Sequence, residues 1–321
     1  MYDVIYDYVK SVQNFFLASM LCLFIPALAA QPLPVVASFS ILADMVREVG
    51  GPHVEVTSLV GPNTDAHVFD PTPADAKRIA SARLVFVNGL GFEGWLDRLV
   101  KASGYRGPIV IASKGVKTPL QLKDAHDHAG AAKGHGAKHS HSVPDPHAWQ
   151  NLANAERYVE TIRIALAAAL PAHSAVFEQR AADYIKRIRA LDQAIKAQIA
   201  AVTVERRRVI TSHDAFGYFA AAYGITFYPL QGLATGSEPS AAEIVRIIDL
   251  IKKNKVSAIF TENISDPRVL ERIAKDSGAK VGGMLYADAL TEPGTSADTY
   301  LKMFQHNVTT IVQGISGKAI E

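Results

Sequence analysis

Cysteine is almost absent from this chain, which has one, Cys22, in 321 residues. That residue lies in an apolar run at 15–30, so the sequence after the run has no thiol for a disulfide or a metal. Any metal site there must use histidine and carboxylate side chains.

An excess of one charge is also missing, because 33 Lys and Arg stand against 31 Asp and Glu. The basic residues are scattered, apart from a cluster at 206–208 that we interpret as a solvated strand entry. We therefore expect no nucleic-acid partner.

The apolar run FFLASMLCLFIPALAA (residues 15–30) is typical of a secretory signal. It is broken by Pro26, is short for a bilayer span and ends in small residues that fit an A-x-A cleavage pattern. We predict that residues 1–30 are a signal peptide and that the mature protein is periplasmic, with a membrane anchor as the alternative. Leu21 stands directly before Cys22, where a lipoprotein signal needs a small residue. We therefore interpret Cys22 as part of the signal peptide.

Short β-branched segments alternate with helical patterns in two halves of the remaining chain. A long helical pattern from 174 to about 202 separates the halves. Such alternation is typical of parallel sheets covered by helices on both faces. We predict an α/β protein with two lobes, 31–170 and 204–321, each with a mostly parallel four-stranded sheet and flanking helices. One long helix within 171–203 is predicted to link them, with a metal site in the cleft between the lobes.

The segment DAHDHAGAAKGHGAKHSH (residues 124–141) holds five of the eleven histidines and no Leu, Ile, Val or aromatic residue. Little in it can be buried to offset the entropy cost of ordering the chain. We therefore expect the loop 124–142 to be disordered and to gather metal for a site formed elsewhere. The histidines with this accessory role are His126, His128, His135, His139 and His141. The alternative is a solvated linker that has no part in metal binding.

Four polar side chains lie where the chain leaves a predicted strand or begins the long helical section. They are His67, His147, His213 and Asp288. Ligands of open α/β sheets bind at the C-terminal ends of strands. Gaps of 80, 66 and 75 residues separate the four, so they meet only if both lobes enclose one cleft. Three imidazoles and a carboxylate suit zinc, while imidazole also suits copper, nickel and iron. Each position alone has a local explanation, and Glu292 is an alternative to Asp288.

The consecutive residues Ser212, His213 and Asp214 suggest a hydrolase as a rival interpretation. Catalytic triads are assembled in space and not from chain neighbours, and no G-x-S-x-G motif is present. A zinc hydrolase would need an open coordination position and a general base, for which Glu262 or Glu292 is the candidate. Four protein ligands leave no such position, so we predict that the protein is not an enzyme.

Six motifs resemble those of the periplasmic zinc/manganese-type solute-binding proteins of ABC transporters: DAHVFDPTPAD, NGLGFEGW, DPHAW, ITSHDAFGYFAAAYGI, SEPSAAEI and LYADAL. They span essentially the whole mature chain in the family's order. The resemblance implies two α/β lobes joined by a long helix, with His67, His147, His213 and Asp288 as the metal ligands. It also implies Zn²⁺ as the cargo, because the manganese branch usually has Glu where His213 stands. Mn²⁺ is the alternative.

The implied partner is the membrane permease of an ABC transporter. A periplasmic metallochaperone is a second expected partner, and we expect a monomer. A periplasmic zinc buffer or chaperone without a permease is the alternative function. Asp70, Asp214 and Glu262 are the candidates to accept the second ring N–H of a ligand histidine and so fix its tautomer.

Overall fold

The computed structural model describes residues 31–117, 119–123, 142–233, 235–236 and 238–316. The predicted signal peptide and the five histidines of the predicted accessory loop lie outside these residues. Leu33–Glu321 form one compact unit. Among the described residues, no helix combines the length and the apolarity that a bilayer span requires.

The first half contains a four-stranded sheet with the strand order β2-β1-β3-β4, in which every pair is parallel. Its central strands β1 and β3 are largely buried, as expected for a parallel sheet covered on both faces. The strands are β1 (Leu33–Phe39), β2 (Val54–Val60), β3 (Leu84–Val87) and β4 (Ile109–Ile111). The helices are α1 (Ser40–Gly50), α2 (Pro73–Ser81) and α3 (Leu96–Ser103). The predicted parallel sheet of this half is confirmed.

A two-stranded antiparallel hairpin follows the first sheet, made of β5 (Gln121–Lys123) and β6 (Ser142–Pro144). The sequence did not predict this hairpin, because strands of three residues are too short to show a periodicity. Its two strands flank the segment 124–141, so the structure holds the two ends of that segment side by side.

Two helices then lead to the second half, α4 (Leu152–Ala169) and α5 (Ser174–Ala200). Helix α5 has 27 residues and is the predicted long helix. The second sheet has the order β10-β9-β7-β8 and is also entirely parallel. Its strands are β7 (Arg208–Thr211), β8 (Thr226–Pro229), β9 (Ala258–Glu262) and β10 (Val281–Leu285). Its helices are α6 (Gly217–Tyr223), α7 (Ala241–Asn254), α8 (Arg268–Ser277) and α9 (Tyr300–Ser316).

One large hydrophobic core runs through both halves. It joins the first sheet to α4 and α5 and continues into the second half through Phe216, Phe219 and Phe304. A smaller core, which includes Ile247 and Leu270, lies between the second sheet and helices α7 and α8. Because interiors are closely packed, a shared core resists a large rigid-body separation of the two sheets.

The N-terminus of α9 is capped by a side chain from the other half. Asp44 of α1 accepts a hydrogen bond from Tyr300 N at 2.8 Å. Burial is the main cause that raises the pKa of Asp44 from 3.8 to about 7. The protonated carboxyl group is the form that the fold favours, so its contribution to stability is complete below the unfolded pKa of 3.8. This contribution is lost as the pH rises from 3.8 through about 7.

We expect Asp44→Asn to stabilise the metal-free protein most at pH 8.5 and clearly less at pH 5, where only part of the loss has occurred. The amide oxygen keeps the cap on Tyr300, and the buried charge disappears. The expected gain at pH 8.5 is on the order of 2–4 kcal/mol in the free energy of unfolding, measured by urea denaturation. The exposed Asp183→Asn is the matched control. Equal stability differences at both pH values would contradict the assignment.

Candidate metal centre

The loop that carries His67 lies between β2 and α2 and is fixed at both ends. At its exit, Thr72 and Asp75 form the capping box that the sequence predicted, with Pro73 in the first turn. Beside His67, the Trp95 indole donates a hydrogen bond to Ala66 O at 2.9 Å. The structure therefore holds the main chain of His67 in place before any ligand binds.

His147 lies between the hairpin and α4 and is completely buried. Its partner is Asp145, two residues earlier in the chain. The Oδ1 atom of Asp145 lies 2.9 Å from His147 N and 2.8 Å from His147 Nδ1. A carboxylate on Nδ1 fixes the ring orientation and leaves Nε2 free to bind a metal.

His213 follows β7, and its partner Glu262 ends the neighbouring strand β9; both are buried. Glu262 Oε1 accepts hydrogen bonds from Ser212 N at 2.8 Å and from His213 N at 3.1 Å. Glu262 Oε2 lies 2.7 Å from His213 Nδ1, as a close contact that is not aligned as a hydrogen bond. The carboxylate therefore positions both the backbone and the ring of His213.

The three ring nitrogens converge on Asp288, which follows β10 and is buried. His67 Nε2 lies 3.3 Å from His147 Nε2 and 3.2 Å from Asp288 Oδ2. Asp288 is also 3.0 Å from His213 Nε2, through Oδ2, and 3.6 Å from His147 Nε2, through Oδ1. One ligand atom from each of the four residues lies within 4.8 Å of the others. Tetrahedral zinc with bonds of 2.0–2.1 Å places its ligand atoms about 3.3 Å apart, which matches these separations.

The charges in this cluster favour a cation. Burial alone would raise the pKa of Asp288, but His147 and His213 lower it well below its ordinary value. Burial acts to lower the pKa of His213, but Glu262 and Asp288 together raise it well above the ordinary value. Protons and an incoming cation therefore compete for this cluster. Asp288 Oδ1 is buried without a hydrogen-bond partner among the described residues.

Only one of the four residues is exposed to solvent at the cluster. The His67 side chain is 12% exposed, while those of His147, His213 and Asp288 are fully buried. His67 borders a cavity of about 880 Å³ whose wall also includes Phe92, Val143 and Pro144. A ligand that reaches the cluster through this cavity meets His67 first.

Of the three carboxylates predicted to contact a ligand histidine, one does so in the structure. Glu262 contacts His213, as described above. Asp70 is exposed, and no described contact joins it to a ligand ring. Asp214 is half-buried near Asp145, and within the described chain its carboxylate bonds to no ligand ring. We correct the assignment of Asp70 and Asp214, because Asp145 and Glu262 occupy the Nδ1 positions of His147 and His213.

Sequence reasoning missed Asp145, although a local signal for it exists. In DPH an aspartate stands two residues before the histidine, and DAH repeats this spacing at Asp65 and His67. Asp65 Oδ1 accepts a hydrogen bond from His67 N at 2.8 Å, as Asp145 does from His147 N. An aspartate that bonds to the backbone two residues ahead forms an Asx-turn. The D-x-H spacing therefore marks two turns that present ligand histidines.

Among the described residues, Ser212, Glu262 and Glu292 are not arranged with His213 as a hydrolase nucleophile or base. Ser212 Oγ has no hydrogen-bond partner within the described chain, so Ser212 and His213 form no nucleophile–base pair. Glu292 is exposed, and Glu262 is engaged with the His213 backbone.

Residues 35–314 match the family described as zinc-uptake complex component A, periplasmic (ZnuA). The chain belongs to this family. Members are metal-binding solute-binding components of ABC transporters, as the sequence motifs predicted. A permease is the implied partner.

Three relatives of this chain carry names that refer to different metals. The manganese-binding lipoprotein MntA of Bacillus subtilis is 31% identical over 292 residues, which is 89% of this chain and 91% of the relative. The iron-binding protein YfeA of Yersinia pestis is 29% identical over 289 residues, 90% and 88% of the two chains. The structure of the periplasmic zinc-binding protein TroA from Treponema pallidum matches with a TM-score of 0.80 at 29% identity. The match covers 89% of this chain and 99% of the TroA chain. Membership of the ZnuA family therefore establishes metal binding and leaves the metal to be argued from the site.

Proposed function

We propose that this protein captures Zn²⁺ in the periplasm with His67, His147, His213 and Asp288 and presents it to the permease of an ABC importer. The observation that carries the proposal is the convergence of these four residues, with Asp288 Oδ1 buried and without a hydrogen-bond partner among the described residues. Three nitrogen ligands to one carboxylate favour zinc over manganese, which prefers more oxygen ligands. A manganese-binding protein is the alternative, since relatives named for manganese share the fold.

Two measurements test this proposal. The first titrates the metal-stripped mature protein with Zn²⁺ and Mn²⁺ against a chelator, and we expect one tight site that prefers zinc. Since most nitrogen-containing sites prefer zinc to manganese in solution, the second measurement is made in cells. There, deletion of the gene is expected to lower the uptake of radioactive zinc and to leave manganese uptake unchanged. Loss of manganese uptake alone would contradict the proposal, and unchanged uptake of both metals would favour a periplasmic buffer.

We further propose that the segment 124–141 gathers zinc for the cleft. Its two ends are paired as neighbours, Lys123 with Ser142, in the hairpin of β5 and β6. Val143 and Pro144 of that hairpin line the same cavity as His67. The residues that flank the histidine-rich segment therefore lie at the cavity that His67 borders. The hairpin itself is anchored to the second half by Tyr218 of α6. The Tyr218 hydroxyl accepts a hydrogen bond from Leu120 N, just before β5, and donates one to Asp145 O, just after β6.

We expect deletion of residues 124–141 to slow zinc loading at limiting zinc and to leave the equilibrium affinity of the cleft unchanged. A short Gly-Ser linker can join Lys123 to Ser142, because the two residues already face each other. Loading is measured by stopped-flow competition with a fluorescent chelator, and zinc uptake is measured in cells. The matched control replaces the five histidines by serine at full length, and it should load as slowly as the deletion. Wild-type loading and uptake in the deletion variant would refute the role.

A further inference from the structure

The ligand Asp288 belongs to the second half in sequence, but side chains of the first half hold its backbone. Ala287 O, directly before Asp288, accepts hydrogen bonds from Trp149 Nε1 at 2.9 Å and from Gln150 Nε2 at 2.7 Å. Two residues after Asp288, Leu290 N donates to Ser40 Oγ at 3.0 Å. The ligand is therefore held on both sides.

These three side chains lie in rigid parts of the first half. Trp149 and Gln150 are completely buried and form the turn that directly follows His147. Ser40 is also buried and begins α1. The same turn is held from the second half by Tyr300, whose hydroxyl donates to Trp149 O at 2.5 Å.

Gln150 gives a separate indication that these contacts serve the site. Its Oε1 atom is buried and has no hydrogen-bond partner among the described residues, while its Nε2 atom donates to Ala287 O. An unpaired buried amide oxygen is unfavourable, and an apolar side chain of similar size would avoid it. The glutamine is therefore best explained by the donor that it directs at the Asp288 loop.

His213 is held in a different way. Its backbone and ring are positioned by Glu262, a residue of the second sheet. The Asp288 loop is tied to both halves. Besides its contacts with the first half, it is bonded by Asn307 of α9 at Tyr286 and by Asn263, which donates to Ala289 O at 3.4 Å.

We infer that Ser40, Trp149 and Gln150 are positioning residues that tie the Asp288 loop to the first half and so fix Asp288 relative to His147. The inference rests on the proposed role of Asp288 as a ligand. A carbonyl with two donors fixes the peptide plane before Asp288, and the Ser40 contact fixes the chain after it. Metal ligands must be held within roughly 0.5 Å of their productive geometry, and these bonds supply that restraint.

Substitution of the positioning residues tests the inference. Ser40→Ala and Gln150→Leu are expected to weaken Zn²⁺ binding by about 10–100-fold, the usual effect of removing groups that orient a ligand. The visible spectrum of bound Co²⁺ should change in both, because the carboxylate then coordinates differently. Ser40→Thr keeps the hydroxyl and should restore both the affinity and the spectrum. Ser277→Ala is the matched control, since it removes a hydroxyl that bonds within α8. It should bind zinc like the wild type.

The outcomes separate this inference from the proposed function. Failure of the wild type to bind zinc would overturn the proposed function. Wild-type affinity in Ser40→Ala and Gln150→Leu, or weaker binding with an unchanged Co²⁺ spectrum, would overturn the inference alone. The thermal midpoint of each metal-free variant identifies any that fails to fold. If Gln150→Leu does not fold, Ser40→Ala with its Ser40→Thr rescue decides the question.

Discussion

His213→Ala is expected to weaken Zn²⁺ binding by at least about 100-fold, because removal of groups that only orient a ligand already costs 10–100-fold. The substitution removes one of four converging ligand atoms and leaves Asp288 Oδ2 with His67 Nε2 as its neighbouring ring nitrogen. It also leaves the buried Glu262 carboxylate beside an empty volume. Competition with a chelator of known affinity measures the effect, and bound Co²⁺ reports the coordination number.

His213→Glu is the informative second variant at this position. It replaces a nitrogen ligand by oxygen, which is expected to move the preference from zinc towards manganese. His306→Ala is the control, because His306 is a half-buried histidine that contacts Met284 O at 3.1 Å, away from the cluster. His67→Ala and His147→Ala should also weaken binding strongly. Wild-type affinity in all three ligand-to-alanine variants would exclude the cluster as the metal site.

The course of the chain was largely predictable because parallel sheets have a regular sequence pattern. The central strands of both sheets are short, largely buried runs, and parallel strands bring their C-terminal ends to one edge. His213 and Asp288 directly follow such strands, so their proximity follows from the topology. The start of α9 could not be predicted in the same way. The helix begins at Tyr300, where Asp44 of α1 caps it. A cap supplied from 256 residues away leaves no local signal.

The surroundings of the ligands were less predictable than the ligands themselves. Asp145 could have been recognised from its D-x-H spacing, because an Asx-turn is local. Glu262 was one of three candidates, and it lies beside His213 only because β9 pairs with β7. The attachment of Asp288 to Ser40 and Gln150 crosses 250 and 137 residues. Contacts of that kind depend on how the two halves pack, which no spacing in the sequence records.

Glu262 is the carboxylate on which the His213 side of the site depends. Its Oε1 atom accepts two backbone N–H groups, and its Oε2 atom lies beside His213 Nδ1. In Glu262→Gln one oxygen can still accept the backbone bonds, and the amide NH₂ then faces Nδ1. A donor at that position favours the tautomer with the proton on Nε2, which is the nitrogen that points at Asp288. A protonated Nε2 cannot bind a metal.

We therefore expect Glu262→Gln to weaken Zn²⁺ binding by about 10–100-fold at pH 8 and by less at pH 6. Glu262 raises the pKa of His213, so in the wild type protons compete with zinc at neutral pH. Without that charge the pKa of His213 falls, and less of the affinity is lost as the pH decreases. Dissociation constants measured at pH 6, 7 and 8 test both effects, with the exposed Glu271→Gln as the control. An unchanged affinity at pH 8, or a pH dependence parallel to that of the wild type, would show that Glu262 does not set the state of His213.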